Sequence, residues 1–340
     1  MGEKVPIRTG STGTNLNRVP HLWLSQQQCR ATSSWAPVRM TPGDFILRLL
    51  FLAQTGIGVV GNIFLLSAYA PTSCAGHARR PTHLILSHMA TANFLVLLFK
   101  GIPHMMFIWG VTPTLGNGGC KLLHYVPRVA RGLSLCTTCL LSHFQAITIS
   151  SRAGGRVGSK DRVWKNVNFS CVLCWVFNLL INVFIPIRVG SLPHNRSSPT
   201  VLDYVLCSFE KSDTSVPTGA LFLTFPDVVF LGLMARASVH MVLLLYRHHL
   251  RVRHIYTHSN SHGFSPEAKA TRTILLTAGT FLFVYSINSF LVLYKNVFFK
   301  SCLWLQHMTA FVVTFYPTVS PLLVLGNHRA PNCCSEMPRK

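Results

Sequence analysis

Seven apolar stretches recur along the chain, at approximately 45–70, 82–109, 120–150, 165–189, 218–246, 270–294 and 303–325. Each comes near or exceeds the roughly 20 residues that an α-helix needs to cross about 30 Å of hydrocarbon. Backbone N–H and C=O groups find no water there, so each span has to satisfy its own groups inside a helix. The fold class this dictates is all-α, a bundle of seven transmembrane helices. Ser87, His88, Asn93 and Lys100 in the second stretch, and Arg128 and Arg131 in the third, are too polar for a lone anchor. Those helices belong inside a bundle. Pro103, Pro226, Pro317 and Pro321 lie within or near the ends of spans and are read as kinks, because neighbouring helices can satisfy the freed carbonyls.

Only 12% of the 340 residues are charged and 49% are hydrophobic, against about 25% charged in soluble domains. An ordinary soluble protein is excluded. The 31 Lys and Arg against nine Asp and Glu give a net +22, but they punctuate apolar runs instead of gathering on a wet face, so no nucleic-acid partner is expected. The charge is instead a topology signal. With the N-terminus outside, fifteen basic residues fall in inner segments, among them Arg79, Arg80, Arg152, Arg247, Arg251 and Arg253, against five in the outer loops. That bias places the N-terminus outside and the C-terminus in the cytoplasm of a multi-pass plasma-membrane protein. Five more basic residues in the first 44 narrow the margin without reversing it. The organisation expected is a poorly ordered extracellular segment 1–44, a membrane domain 45–325 and a short cytoplasmic tail 326–340. Residues 1–44 lack the apolar core of a signal peptide, so the first span serves as the insertion signal. Pro6 stands where an N-myristoylation site needs Ser or Thr.

Several motifs fail in context. Gly56-Ile57-Gly58-Val59-Val60-Gly61 spells a dinucleotide fingerprint, but no strand precedes it and no acid follows about 20 residues on. Small residues for close helix packing are the better reading, and no cofactor is expected. Cys136-x-x-Cys139 and Cys171-x-x-Cys174 imitate a zinc pair of pairs within apolar spans, and free packing cysteines are preferred there. His254, His258 and His262 read as a solvated basic loop. No metal site and no catalytic constellation can be placed at a water-accessible mouth, so an enzyme is unsupported.

Position selects among the 11 cysteines. Cys120, opening the third span, and Cys207, in the loop between the fourth and fifth, both face the oxidising side and are expected to pair. Asn195-Arg196-Ser197 is a glycosylation acceptor in that same loop, whereas Asn168-Phe169-Ser170 falls on the inner side and should stay bare. Cys333 and Cys334 are either palmitoylated or part of an unmodified tail.

The residues narrow the reading further. Arg80-Pro81-Thr82-His83-Leu84-Ile85-Leu86, Ala90-Thr91-Ala92-Asn93 and Phe99-Lys100-Gly101-Ile102-Pro103 lie in the second span. Arg128-Val129, Cys139-Leu140-Leu141-Ser142 and Phe144-Gln145-Ala146-Ile147-Thr148-Ile149-Ser150 lie in the third. Phe225-Pro226-Asp227-Val228 and Leu245-Tyr246-Arg247-His248 bracket the fifth, Ser265-Pro266-Glu267-Ala268-Lys269-Ala270-Thr271 enters the sixth, and Tyr316-Pro317-Thr318-Val319-Ser320-Pro321 lies in the seventh. Together, over about residues 45–325, they resemble vomeronasal type-1 receptors. The resemblance implies a rhodopsin-like G-protein-coupled receptor architecture, a small pheromone-like chemosignal as ligand, and an inhibitory-class heterotrimeric G protein as partner. Phe144-Gln145-Ala146 stands where the larger receptor class carries its acid-Arg-aromatic triplet. His83 departs from a family acid, and Tyr316 from a family Phe.

Arg128 and Arg131 are one helical turn apart, and Lys100 belongs to the same layer. Asp227 is the acid within a span. The expectation is an outer-half cavity of positive potential for a ligand with an anionic or strongly accepting group, walled by Phe281, Phe283, Tyr285 and Tyr294. The alternative is a structural network in which Arg128 bonds Asp227 or a loop acid. Asn62, Asn93, Ser320 and Pro321 are expected to face one another, either as a two-state switch or as static packing. Gln145, Arg247, Arg251 and Arg253 mark the G-protein surface, although attraction to anionic membrane lipid would also explain the basic loops. The competing class is a transporter or channel, against which no internal repeat is visible. A receptor copy that has lost signalling is the third reading.

Overall fold

A computed structural model describes residues 42–69, 81–111, 116–153, 160–191, 207–209, 225, 228–240, 242–243, 246–247, 266–297 and 303–327. The helices are α1 (Pro42–Tyr69), α2 (Pro81–Val96), α3 (Ile102–Ile108), α4 (Asn117–Ala153), α5 (Lys160–Ile181), the single turn α6 (Ile185–Arg188), α7 (Val228–His240), α8 (Pro266–Val297) and α9 (Leu303–Asn327). They form a seven-helix bundle, α2 and α3 making one span and α4, α5, α7, α8 and α9 the third to the seventh. Phe45–Tyr69, Pro81–Ile108, Asn166–Ile187 and Leu305–Gly326 are each long and apolar enough to cross a membrane by themselves. The third span is not, because Arg128, Arg131 and a run of hydroxyl residues dilute it, and it lies at the centre of the bundle, packed on α2, α5 and α8.

The molecule exposes large apolar side chains and buries polar ones among its apolar core, a surface unlike that of a soluble protein. Val60 on α1, Phe169 and Leu180 on α5, and Phe283 and Phe290 on α8 are exposed, whereas Asn62, Asn93, Thr137, Ser142 and Ser320 are fully buried. Water would penalise that surface by about 25 cal/mol per Å², and hydrocarbon does not. The bundle is membrane-embedded.

Close helix approach explains two glycines of the run, Gly58 and Gly61, whereas Gly56 meets open space. A Cβ at Gly58 would lie 2.7 Å from Leu97 Cδ1 and 2.8 Å from Thr318 Oγ1, and one at Gly61 would lie 3.0 Å from Pro321 Cγ. Gly132 serves the same end between α4 and α5, where a Cβ would collide with Asn178 Oδ1. These are packing glycines, as the absence of a flanking strand and acid implied.

The prolines are absorbed locally. A five-residue π turn, Leu97–Gly101, precedes α3, and the Ile102 N–H donates to Leu97 O, five residues back. The extra residue takes up the place where Pro103 cannot donate. Pro127, Pro317 and Pro321 lie inside α4 and α9 without breaking them.

Two findings depart from expectation. Cys136 on α4 and Cys174 on α5 are joined by a disulfide, with their Cα atoms 6.2 Å apart, whereas Cys139 and Cys171 are buried free thiols. Free packing thiols therefore hold for one cysteine of each motif and fail for the other. The other departure is a short antiparallel pair, β1 (Val189–Ser191) with β2 (Cys207–Phe209), in register Ser191 to Cys207, with β1 lying against α4.

Candidate ligand cavity and buried polar network

A small, partly open cavity lies between α2, α4, α8 and α9. Its wall is mainly apolar, with Val96, Phe281, Val284 and Val312 among the lining residues. α4 contributes Arg131 and Ser134, three residues apart and so on one face. α8 contributes Phe281, Val284, Tyr285 and Asn288, the i, i+3, i+4, i+7 stripe of a buried face. The guanidinium of Arg131 sits 4.9 Å from the Tyr285 ring centroid, a cation–π geometry that holds a cation at an apolar wall. Phe281 stacks along Tyr285 at 6.1 Å and meets Tyr316 edge-on at 4.4 Å.

Beside the cavity runs a buried polar network. Asn93 Nδ2 donates to Ser320 Oγ at 2.7 Å, and its Oδ1 accepts from Ser134 Oγ at 2.7 Å, which joins α2, α4 and α9 at one side chain. The Tyr316 hydroxyl and Thr138 Oγ1 are 2.9 Å apart. Asn62 Nδ2 donates to Gly58 O at 2.7 Å and to Pro317 O at 2.8 Å. Pro321 has no N–H to offer the Pro317 carbonyl four residues back, and Asn62 fills that vacancy from α1. Gln54 Nε2 reaches Phe311 O and Thr314 Oγ1, while Thr318 Oγ1 returns to Gln54 O. Ser134, Tyr316 and Pro317 line the cavity and also belong to the network.

Of the residues singled out in sequence, Arg131, Phe281 and Tyr285 meet at the cavity. Lys100 is set apart, in electrostatic range of His104 and His124, where His104 Nε2 and His307 Nδ1 lie 3.1 Å apart between α3 and α9. Arg128 is partly buried in α4 and is not among the residues lining the cavity. Phe283 points outward, 67% exposed, and Tyr294 stacks on the equally outward Phe290, so neither ring joins the wall. Asn93 and Ser320 are bonded directly, Asn62 is attached one turn away, and Pro321 packs on Gly61. Cys120 is fully buried and disulfide-bonded. Gln145 is partly buried near the end of α4, and Arg247 is exposed. Asp227, Asn195, Arg251, Arg253, His254, His258, His262, Cys333 and Cys334 lie outside the described residues. Ser134, Thr138 and Asn288 escaped the sequence reading. Ser134 and Asn288 each lie three residues beyond a residue that was chosen, Arg131 and Tyr285, which is the signal that helical spacing offered.

Comparison with known proteins agrees with this architecture. The vomeronasal organ pheromone receptor family matches residues 45–334. Vomeronasal type-1 receptor 1 of Gorilla gorilla gorilla is 37% identical over 285 residues, covering 84% of this chain and 81% of that protein. Vomeronasal type-1 receptor 4 of Homo sapiens is 37% identical over 278 residues, covering 82% of this chain and 92% of that receptor. Olfactory receptor class A-like protein 1 of Danio rerio is 30% identical over 281 residues, covering 82% and 88%. A seven-helix bundle with an apolar surface and buried polar side chains, matching this family across its membrane domain, is a chemosensory G-protein-coupled receptor and not an enzyme: the chain belongs to the vomeronasal type-1 receptor family.

Proposed function

We propose that the receptor takes a small, largely apolar chemosignal with an anionic or strongly accepting group into the cavity between α2, α4, α8 and α9, and couples its binding to an inhibitory-class G protein. The observation that carries this reading is the sharing of Ser134, Tyr316 and Pro317 between the cavity wall and the buried network. A ligand that displaces or tightens any of the three changes the hydrogen bonds of Asn93, Thr138 or Asn62. A buried network with two satisfied arrangements is biased by any ligand that prefers one of them. Arg131 supplies the charge preference, since a cation at an apolar wall gains most from an anion that arrives with its own apolar body. Lys100, Arg128 and Asp227 act in this proposal as the surrounding field and not as direct contacts.

The N-terminus lies outside, with Asn195 glycosylated and Cys120 paired to Cys207. That pairing is favoured by β2, which begins at Cys207 and aligns with β1 beside α4. Gln145, Arg247, Arg251 and Arg253 face the G protein on the cytoplasmic side. Segment 1–44 precedes the membrane domain and 326–340 forms the tail. Deleting the inhibitory-class α subunit from the host cell should abolish signalling, and restoring it should bring the signal back.

The charge preference is tested with Arg131→Gln against matched acidic and neutral ligands at equal surface expression. Acids should lose about tenfold or more in potency and neutral analogues about threefold or less, the range for one charged hydrogen-bonding partner. Equal loss for both classes would count against charge recognition. Ligand-independent flux without G-protein activation would favour a transporter instead.

A further inference from the structure

We propose that Asn288 is the second polar anchor of the cavity, and that the preferred ligand is an acid bearing a hydroxyl group within a few bonds of its acidic end. The proposal deepens the ligand reading of the cavity and rests on it. Asn288 is only 4% exposed and lines the same cavity as Arg131 and Tyr285. Its Oδ1 is buried and has no hydrogen-bond partner among the described residues. Other buried oxygens share that state, on Gln54, Thr55 and Asn62 for example, but of the residues carrying them only Asn288 lines the cavity. Other buried helix asparagines are bonded: Asn178 Nδ2 donates to Cys174 O, Asn182 Nδ2 to Asn178 O and Asn93 Nδ2 to Ser320 Oγ. Asn288 Oδ1 is left with hydrogen-bonding capacity at the wall of a cavity.

A buried amide oxygen without a partner is costly, so a ligand that brings a donor gains twice, by the bond it makes and the penalty it removes. Two donor chemistries fit an amide oxygen, a hydroxyl and an ammonium. The guanidinium of Arg131, held against the Tyr285 ring, repels an ammonium at short range, which leaves the hydroxyl. Spacing follows from the helix. Asn288 is three residues beyond Tyr285, a rise of about 4.5 Å, so the two polar groups of the ligand are separated by one helical turn and not by the length of the molecule.

The test uses full-length receptor at the cell surface and pairs of apolar acids that differ only in one hydroxyl group. The probes are decanoate against β-hydroxydecanoate and phenylpropanoate against β-hydroxyphenylpropanoate, with G-protein activation as readout. On the native receptor the hydroxylated acid should be about tenfold more potent, the ratio one neutral hydrogen bond provides. Asn288→Leu should erase that advantage while the parent acids keep their potency within about twofold. Should Asn288→Leu fail to reach the surface, Asn288→Ala carries the same expectation. Equal potency within the pairs on the native receptor overturns the assignment, as does a hydroxyl preference that survives in either variant. A native receptor at the surface that answers none of the acids, hydroxylated or plain, overturns the acidic-ligand reading itself. Indifference to the hydroxyl alone removes only the role of Asn288.

Discussion

Where α1, α2, α4 and α9 meet, the helices are joined by directed hydrogen bonds from Gln54, Asn62, Asn93, Ser134 and Thr138. Where α8 meets α4 and α9, the described contacts include rings and a cation, Phe281 on Tyr316 and Arg131 over Tyr285, set among packed aliphatic side chains. Hydrogen bonds weaken steeply with distance and angle, so they fix the register of the helices they join. Ring contacts are worth about 0.5–1.5 kcal/mol at centroid separations of about 4.5–7 Å and set register less tightly. The hydrogen-bonded side acts as a frame and the ring-lined side as a wall, and the cavity lies on the boundary between them.

The largest effect that could break this contrast is expected in the frame. Asn93→Leu strands the Ser134 and Ser320 hydroxyls in a buried site and should cost about 2–4 kcal/mol, read as a lower melting temperature of the receptor in detergent. A loss below about 1 kcal/mol would remove the distinction between frame and wall. Next, Gly58→Val drives a side chain into Leu97 and Thr318 and should cost about 1–3 kcal/mol by overpacking. Gly56→Ala, which meets open space, should leave the melting temperature unchanged or slightly raised. Tyr316→Phe removes the bond to Thr138 and the weaker one to Met89 Sδ and should cost about 1 kcal/mol. Because that hydroxyl belongs to the network beside the cavity, basal signalling of the variant should change as well. The smallest effect belongs to α8: Ser286 is exposed and donates to its own helix at Leu282 O, so Ser286→Ala should stay within about 0.5 kcal/mol.

Much of the frame was legible because hydropathy and span length carry it. Seven stretches sufficed for the fold, and the low charge settled the solvent. Asn62, Asn93 and Ser320 could be placed together because an amide or hydroxyl in hydrocarbon has to find a partner. The identity of that partner was not legible. Asn62 goes to the Pro317 carbonyl because Pro321 lacks an N–H, a consequence visible only once α1 lies against α9. The cavity was less legible than the frame. Phe281 and Phe283 are two residues apart on a helix and therefore cannot share a face, which puts Phe283 toward lipid. The Cys136–Cys174 disulfide depends on the register between two helices, and nothing in either Cys-x-x-Cys motif states that register.

The measurement that tests the account most directly is the maximal response of Ser134→Ala, separated from its affinity. The substitution deletes the hydrogen bond to Asn93 Oδ1 and leaves Arg131, Phe281 and Tyr285 in place. At matched surface expression, G-protein activation at saturating ligand should fall about fivefold or more, the size of a modest coupling free energy, while the half-maximal concentration moves about threefold or less. A full maximal response in that variant would contradict the claim that the cavity signals through the network it shares.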